Sequence, residues 1–256
     1  MVTVPQLLVT AAVTLVAVTV TFGIARARKR YDTIDTFWGL GFALVALVAF
    51  PLGDGPVALR LVVAVLTVVW GVRLAVHLHL RSHRLPEDPR YARMGHGPAK
   101  MFVRVYLVQA LVLCFVSLPV QFAMDGTGFG VLGWLGVVVW LAGFAFETIG
   151  DDQLRRFKAD PAHRGRVLDT GLWRYTRHPN YFGDACVWWG LYLLACSTWP
   201  GAATVLSPVA MTFTLVRGTG KPLLEKGMAR TRPAYAHYVE RTSGFFPLPP
   251  RRVTPR

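Results

Sequence analysis

Acidic residues are scarce in this sequence. Fourteen Asp and Glu stand against 28 Lys and Arg, and charged residues of either sign make up only 16% of its 256 positions. A soluble domain carries about a quarter charged residues, so there is too little charge here to coat an ordinary water-facing surface. Cysteine is sparse as well. Cys114, Cys186 and Cys196 all fall in apolar stretches, and an odd count without C-x-x-C spacing speaks against a disulfide framework or a zinc site. They read as small buried hydrophobes. Several signatures are missing. No G-x-G-x-x-G opens a helix after a strand, so a dinucleotide would not sit in a Rossmann domain. The glycines around Lys221 lack P-loop spacing, and H-E-x-x-H, G-x-S-x-G and the histidine boxes of di-iron oxygenases do not occur. His79 and His83 are four apart with no third ligand in view, so no metal is expected. No RNA-binding signature accompanies the net charge of +14, and nucleic acid is not an expected partner.

What the chain does have is apolar residues, 53% of the total with mean hydropathy +0.40, gathered into long runs. A bilayer core takes roughly 17–25 such residues per helix, and lipid cannot satisfy free backbone groups, so each run must be a continuous helix. The expected fold is all-α, a polytopic bundle of seven spans: Val4–Ala25, Ile34–Phe50, Val57–Leu80, Met101–Val120, Val131–Gly150, Asp184–Trp199 and Ala202–Val216. Placing alternate loops on one side gathers 26 of the 28 Lys and Arg there. Arg60 lies near the other side and Arg73 falls inside the third span. Such bias marks the basic face as cytoplasmic, with the N-terminus outside and the C-terminus inside. The cluster Arg26–Arg30 follows the first apolar stretch instead of preceding it, the pattern of a retained helix and not of a cleaved signal. The whole chain is expected to be one integral-membrane domain of the inner cell membrane. Its two notable cytoplasmic parts are a cofactor-binding loop, 151–183, and a C-terminal segment, 217–256.

Chemistry concentrates between Thr170 and Asp184, which holds Trp173, Arg174, Tyr175, Arg177, His178, Asn180 and Tyr181. Gly171 and Gly183 allow close backbone approach, and Pro179 holds His178 extended. Arginines supply forked donors for phosphate. Asn180 near the start of a helix meets free N–H groups and a dipole that favours an anion. An interfacial belt of aromatic and basic residues is the plainer alternative, but a belt needs neither His-Pro-Asn nor paired glycines. A second stretch runs from Glu147 through Asp151 to Lys158. Glu147 and Asp151 share one helix face and can take ribose or adenine donors, or pair with Arg155. A third, on the third span, sets Arg73 in an apolar run with His77 one turn on. An intramembrane arginine either serves function or snorkels to the surface. A fourth, Asp32 and Asp35 opening the second span, supplies carboxylates or a helix cap.

On these residues the chain resembles the bacterial DUF1295 proteins of the steroid 5-alpha-reductase-like superfamily. The likeness runs from Gly171 to Asp184 and on to Trp188-Trp189-Gly190. It also takes in Asp35 to Gly39, Trp70 to Leu74, Glu87 to Tyr91, Gln109, Glu147 to Gln153 and Leu224 to Tyr238. The resemblance implies a seven-helix enzyme that binds NADPH from the cytoplasm and reduces a carbon–carbon double bond of a lipophilic enone, steroid-like or isoprenoid-like. It implies cofactor contacts at Asn180, Asp184, Asp151, Lys158 and Arg166, to which the residue types add Glu147, Trp173, Arg177, His178 and Tyr181. The catalytic Tyr and Glu of the steroid enzymes have no clear counterpart. Arg73, His77 and Asp35 are the polar groups available to polarise the substrate carbonyl. Arg-His-Pro-x-Tyr is also similar to membrane methyltransferases of the isoprenylcysteine carboxyl methyltransferase type. Those use S-adenosylmethionine and carry a Glu-Glu pair where this chain has the single Glu225. A lipid-binding membrane protein without catalysis is a third reading. A lipophilic small molecule and membrane lipid are the expected partners.

Overall fold

The computed structural model describes residues 2–83, 85–88, 91, 97–218 and 220–252, and among these the fold is helical, with a single isolated bridge between Thr176 and Ser243. Six helical stretches are long and apolar enough to cross a membrane, which makes this a multi-pass membrane protein: Val4–Arg28, Thr33–Leu52, Val57–His83, Pro98–Ala123, Val131–Ala159 and Trp199–Thr231. In chain order the main helices are α1 (Val4–Arg28), α2 (Thr33–Leu52), α3 (Val57–His83), α4 (Pro98–Ala123), α5 (Val131–Ala159), α6 (Pro179–Ala195), α7 (Leu206–Val216), α8 (Lys221–Thr231) and α9 (Tyr235–Arg241), of which α7 and α8 fall within the stretch Trp199–Thr231 and α6 and α9 lie outside the six. The chain divides into two units, one of residues 1–134 and 191–207, the other of 135–190 and 208–256. Of the segment Glu87 to Tyr91, Pro89 and Arg90 lie outside the described residues, as do Thr219 and the last four residues of the tail.

The first unit is built on close helix packing. Thr3 caps α1 in a capping box with Gln6, and Lys29 ends the helix at φ 54°, the left-handed stop that releases the chain into the next element. Helices α2 and α3 meet backbone to backbone. A Cβ placed on Gly39 would lie 2.2 Å from the Gly71 carbonyl oxygen, and one on Gly71 would lie 2.3 Å from that of Gly39. Small residues at a membrane-helix contact give this approach. Helix α4 changes pitch twice, through a π turn at Phe102–Leu107 and a break at Ser117 ahead of Pro119, where proline removes a donor. Around Phe22, whose ring centroid lies 5.1 Å from Phe102 and 5.0 Å from Tyr106, Val18, Ile34, Val105 and Tyr106 form a buried cluster.

The second unit rests on a glycine seam. Glycines 136, 143 and 150 recur every seven residues along α5 and meet Gly183, Gly190 and Pro179 of α6. A Cβ on Gly183 would lie 2.4 Å from the Glu147 nitrogen and 2.5 Å from the Gly143 oxygen, and one on Gly190 would lie 2.7 Å from the Gly136 oxygen. Two boundaries differ from the sequence reading. Helix α5 runs past Gly150 to Ala159, because its polar end is rich in good helix formers, Gln153, Leu154, Arg155, Arg156, Lys158 and Ala159, that hydropathy overlooks. Helix α6 starts at Pro179 instead of Asp184, since proline suits a first helical position where no donor is required. The expected loop 151–183 is therefore helix at both ends and irregular only between them.

Candidate functional site

The seam dictates the site. Gly150 lies against Pro179, within 3.1 Å of its ring by a built Cβ, so α5 at Gly150 faces the first turn of α6. Each helix carries a polar pair four residues apart, Glu147 and Asp151 on α5 and Asn180 and Asp184 on α6. The Asn180 Nδ2 donates to Asp151 Oδ1 at 3.1 Å. Glu147 and Asp151 are 3% and 5% exposed, a depth at which a carboxylate needs partners. The Asn180 Oδ1 is buried and has no hydrogen-bond partner in the protein. An orphaned buried acceptor costs about 1–3 kcal/mol, and this one lies in the first turn of α6.

The irregular segment is tied over this helix pair. Gly171 takes φ +59°, a conformation open to glycine, and turns the chain into a short 3-10 stretch, Gly171–Arg174. Leu172 N donates to Gln153 Oε1 at 3.0 Å, and Trp173 Nε1 donates to the Gly150 carbonyl at 3.0 Å. The Tyr238 hydroxyl donates to the Trp173 carbonyl at 2.5 Å. Trp173 is thus buried and fully engaged; it anchors the segment and offers no free ring face. Next in sequence, Thr176 Oγ1 donates to the Phe245 carbonyl at 2.8 Å, and Arg177 N donates to the Ser243 carbonyl at 2.9 Å.

Arg177 and His178 converge on Glu225 of α8. Arg177 Nε donates to Glu225 Oε1 at 2.9 Å, its Nη1 donates to the carbonyls of Val239 and Thr242 at 3.2 and 2.6 Å, and His178 Nε2 lies 3.1 Å from the same Glu225 oxygen. The Arg177 side chain is only 10% exposed. The expected phosphate fork is therefore spent inside the protein, and Arg177 works as a tie to the C-terminal helices. Tyr181 stacks on His178 with ring centroids 5.3 Å apart. Burial pushes the His178 pKa below its usual value, helped by the charges of Lys221 and Arg177, while the Glu225 hydrogen bond and charge oppose the shift.

A group whose folded pKa lies below its unfolded one, near 6.5 for histidine, binds fewer protons when folded. Its stabilising contribution is complete above that unfolded value and is lost as pH falls through the folded pKa. The melting temperature of the purified protein is expected to drop on acidification below about pH 6.5, with a shallower drop in His178→Gln. Melting curves across pH for the two proteins check this.

Among the other expected cofactor residues, Lys158 and Arg166 are exposed on the surface of this unit, as is Arg174. Arg155 and Arg156 pair with Asp152 at 2.5 and 2.7 Å. A cleft of about 460 Å³ is lined by Glu225 and by residues of α8 and α9, and none of the expected site residues lines it.

Asp35, Arg73 and His77 belong to the first unit. Asp32 sits at the N-cap of α2 without a capping bond; Arg30 Nη2 holds it at 2.7 Å instead. Asp35 accepts from the Tyr91 hydroxyl at 2.6 Å. It lies one turn from Gly39, where α2 meets Gly71 and Ala75 of α3, so it stands near the level of His77. Arg73 and His77, both half-buried, share one face of α3. The sequence reading quoted Tyr91 and Glu225 for the family likeness without assigning either to a site. Their partners are 56 and 48 residues away in sequence, and no local pattern links them. The seven-residue glycine spacing was a signal that could have predicted the seam.

Residues 21–242 match the family described as "Protein of unknown function (DUF1295)". A protein of Schizosaccharomyces pombe, described as "Uncharacterized protein C594.04c", is 24% identical over 269 residues, an overlap that takes in 89% of this chain and 76% of the relative. No solved structure matches. The family match spans most of the chain and includes the glycine seam, the Asn180–Asp151 pair and the Glu225 tie, and the chain belongs to the DUF1295 family.

Proposed function

We propose that this protein is an NADPH-dependent membrane reductase acting on the carbon–carbon double bond of a lipophilic enone, steroid-like or isoprenoid-like. The observation that carries this reading is the part-buried Asn180–Asp151 pair with an unpartnered, buried Asn180 carbonyl oxygen. Asp151 fixes which way the Asn180 amide points, leaving its oxygen to accept from a carboxamide or a ribose hydroxyl. The donor set fits NADPH. Asn180 and Asp184 open α6, Glu147 and Asp151 can accept from hydroxyls, and exposed Lys158, Arg166 and Arg174 can meet phosphate charge. When bound, NADPH supplies a hydride to the β-carbon of the enone.

The remaining chemistry falls to the protein's own side chains. Negative charge gathers on the carbonyl oxygen of such a substrate as its double bond is reduced, and a donor aimed at that oxygen lowers the barrier. The donors proposed for this role are Arg73 and His77 of α3 in the first unit, where Asp35 accepts the Tyr91 hydroxyl proton. Proton delivery to the α-carbon completes the reduction. Asp35→Asn is accordingly expected to lower turnover while leaving NADPH affinity unchanged.

The membrane arrangement belongs to the same proposal. Helix α6 has 17 residues, about 26 Å at 1.5 Å per residue, and serves as a seventh span. Seven spans put the N-terminus outside and the basic loops, with the cofactor site, in the cytoplasm of an inner-membrane protein.

A methyltransferase using S-adenosylmethionine is the second reading. The observation favouring it is the convergence of Arg177 and His178 on Glu225, since methyltransferases with the similar Arg-His-Pro-x-Tyr stretch also carry acidic residues before their last helix. Melting curves of purified protein with each cofactor separate the two. A ligand at about a hundred times its dissociation constant stabilises by about 2.7 kcal/mol. NADPH is expected to raise the melting temperature and S-adenosylmethionine to leave it unmoved; the reverse pattern would make the chain a methyltransferase.

A further inference from the structure

Helix α7 ends at Val216, and the chain does not run straight on into α8. Arg217 and Gly218 both donate to the Phe213 carbonyl, at 2.8 and 3.1 Å, and Gly220 donates to the Thr214 carbonyl at 3.3 Å. A Cβ on Gly220 would fall 2.5 Å from the Leu215 oxygen, and one on Gly218 would fall 2.9 Å from the Thr214 backbone. The chain therefore turns back on the last turn of an apolar helix, and α8 begins at the level where that helix ends. Helix α8 is amphipathic. Glu225 faces inward to Arg177 and His178. Leu223 and Leu224 are 50% and 51% exposed, and Lys226 and Arg230, four residues apart, flank that apolar face. A helix with leucines on one side, cations beside them and low overall hydrophobicity lies in the plane of a bilayer surface.

The cleft of about 460 Å³ opens between α8 and α9. Lys226 and Arg232 stand at it as cations, and Ala229, Ala236 and Val239 make its apolar wall. Glu225 also lines it, but that carboxylate is already bonded to Arg177 and His178. Over residues 217–252 the sequence carries eight Lys and Arg against two Glu. A phosphate with an acyl chain beside it fits this pairing of two cations with an apolar wall at the membrane surface, and so does the charge excess. We propose that α8 and the start of α9 form a headgroup site for an anionic phospholipid. The site stands apart from the nucleotide site proposed at Asn180 and does not depend on it.

Native mass spectrometry of the full-length protein tests this, with the protein purified in detergent and given equal amounts of phosphatidylglycerol and phosphatidylcholine. The wild type is expected to retain phosphatidylglycerol in clear excess. The Lys226→Gln/Arg232→Gln protein should lose that excess by roughly fivefold per cation, since each is worth about 1 kcal/mol near an anionic surface. Equal retention of the two lipids by the wild type, or an unchanged excess in the double variant, would overturn the proposal. Inorganic phosphate added as competitor distinguishes a free anion from a headgroup. Phosphatidylglycerol should stay bound, and its displacement by phosphate would show that the cleft takes the free ion. The double variant should also keep any melting shift that NADPH gives the wild type. Loss of such a shift would mean that the cleft is part of the nucleotide site, which contradicts a separate lipid site.

Discussion

Glu225→Ala is expected to destabilise the protein by about 3 kcal/mol, because removing one partner of a mostly buried ion pair strands the other charge. The stranded group is the Arg177 guanidinium, 10% exposed, with two backbone carbonyls left to it and no counter-charge. Glu225 itself is 22% exposed, which places the loss at the low end for buried pairs. The loss should show as a lower melting temperature and as release of the C-terminal helices, read as faster proteolysis after Lys221 or Lys226. Arg177→Met added to Glu225→Ala removes the stranded charge and should recover most of the loss. A double variant as weak as the single one would mean that Glu225 acts through His178 or through packing. The same experiment bears on function, since Arg177 and His178 immediately precede Pro179 and Asn180 in the chain. If the tie positions the start of α6, Glu225→Ala should also weaken any response to NADPH.

Gly183→Val is expected to cost more than about 3 kcal/mol, beyond the 1–3 kcal/mol usual for overpacking. The obstruction is backbone on both sides, the Glu147 nitrogen at 2.4 Å and the Gly143 oxygen at 2.5 Å from a Cβ at this position, and neither can swing away as a side chain would. The helices must separate, which would part Asn180 from Asp151 as well. In size-exclusion profiles of detergent extracts, Gly183→Val should move from the folded peak into aggregate. Gly227→Val is the control, since nothing lies within 4 Å of its Cβ position; it is expected to change only helix propensity, by about a few tenths of a kcal/mol in the stabilising direction. Equal folding of the two variants would remove the seam from the account.

Six apolar stretches were legible in the sequence because membrane helices announce themselves by length and composition. The stretch Gly171 to Asp184 stood out because glycine, proline and polar groups together are out of place between spans. Four features were not legible, each for a physical reason. Helix α5 continues to Ala159 through residues such as Gln153, Arg156 and Lys158, which make good helix but poor membrane, and a hydropathy reading stops at the lipid boundary. Arg177 has the composition of a phosphate ligand, and only the fold shows its guanidinium committed to Glu225. Trp173 likewise has an aromatic face suited to a base, yet its indole nitrogen and carbonyl are both taken by the packing of its own segment. Asp35 found its partner in Tyr91, across a separation that periodicity cannot bridge. What survives from the sequence is the polar pair. Asn180 and Asp151 come together because the glycine seam brings the first turn of α6 into register with α5 around Gly150.

Equilibrium binding of NADPH to the purified protein, compared between wild type and Asn180→Ala, tests the central claim most directly. The account predicts saturable binding by the wild type. In Asn180→Ala the affinity should fall at least tenfold, about 1.4 kcal/mol, while the melting temperature without ligand changes little, because the substitution also removes the unpartnered buried oxygen. Equal NADPH affinity in the two proteins, or no saturable NADPH binding by a wild type that binds S-adenosylmethionine, would contradict it.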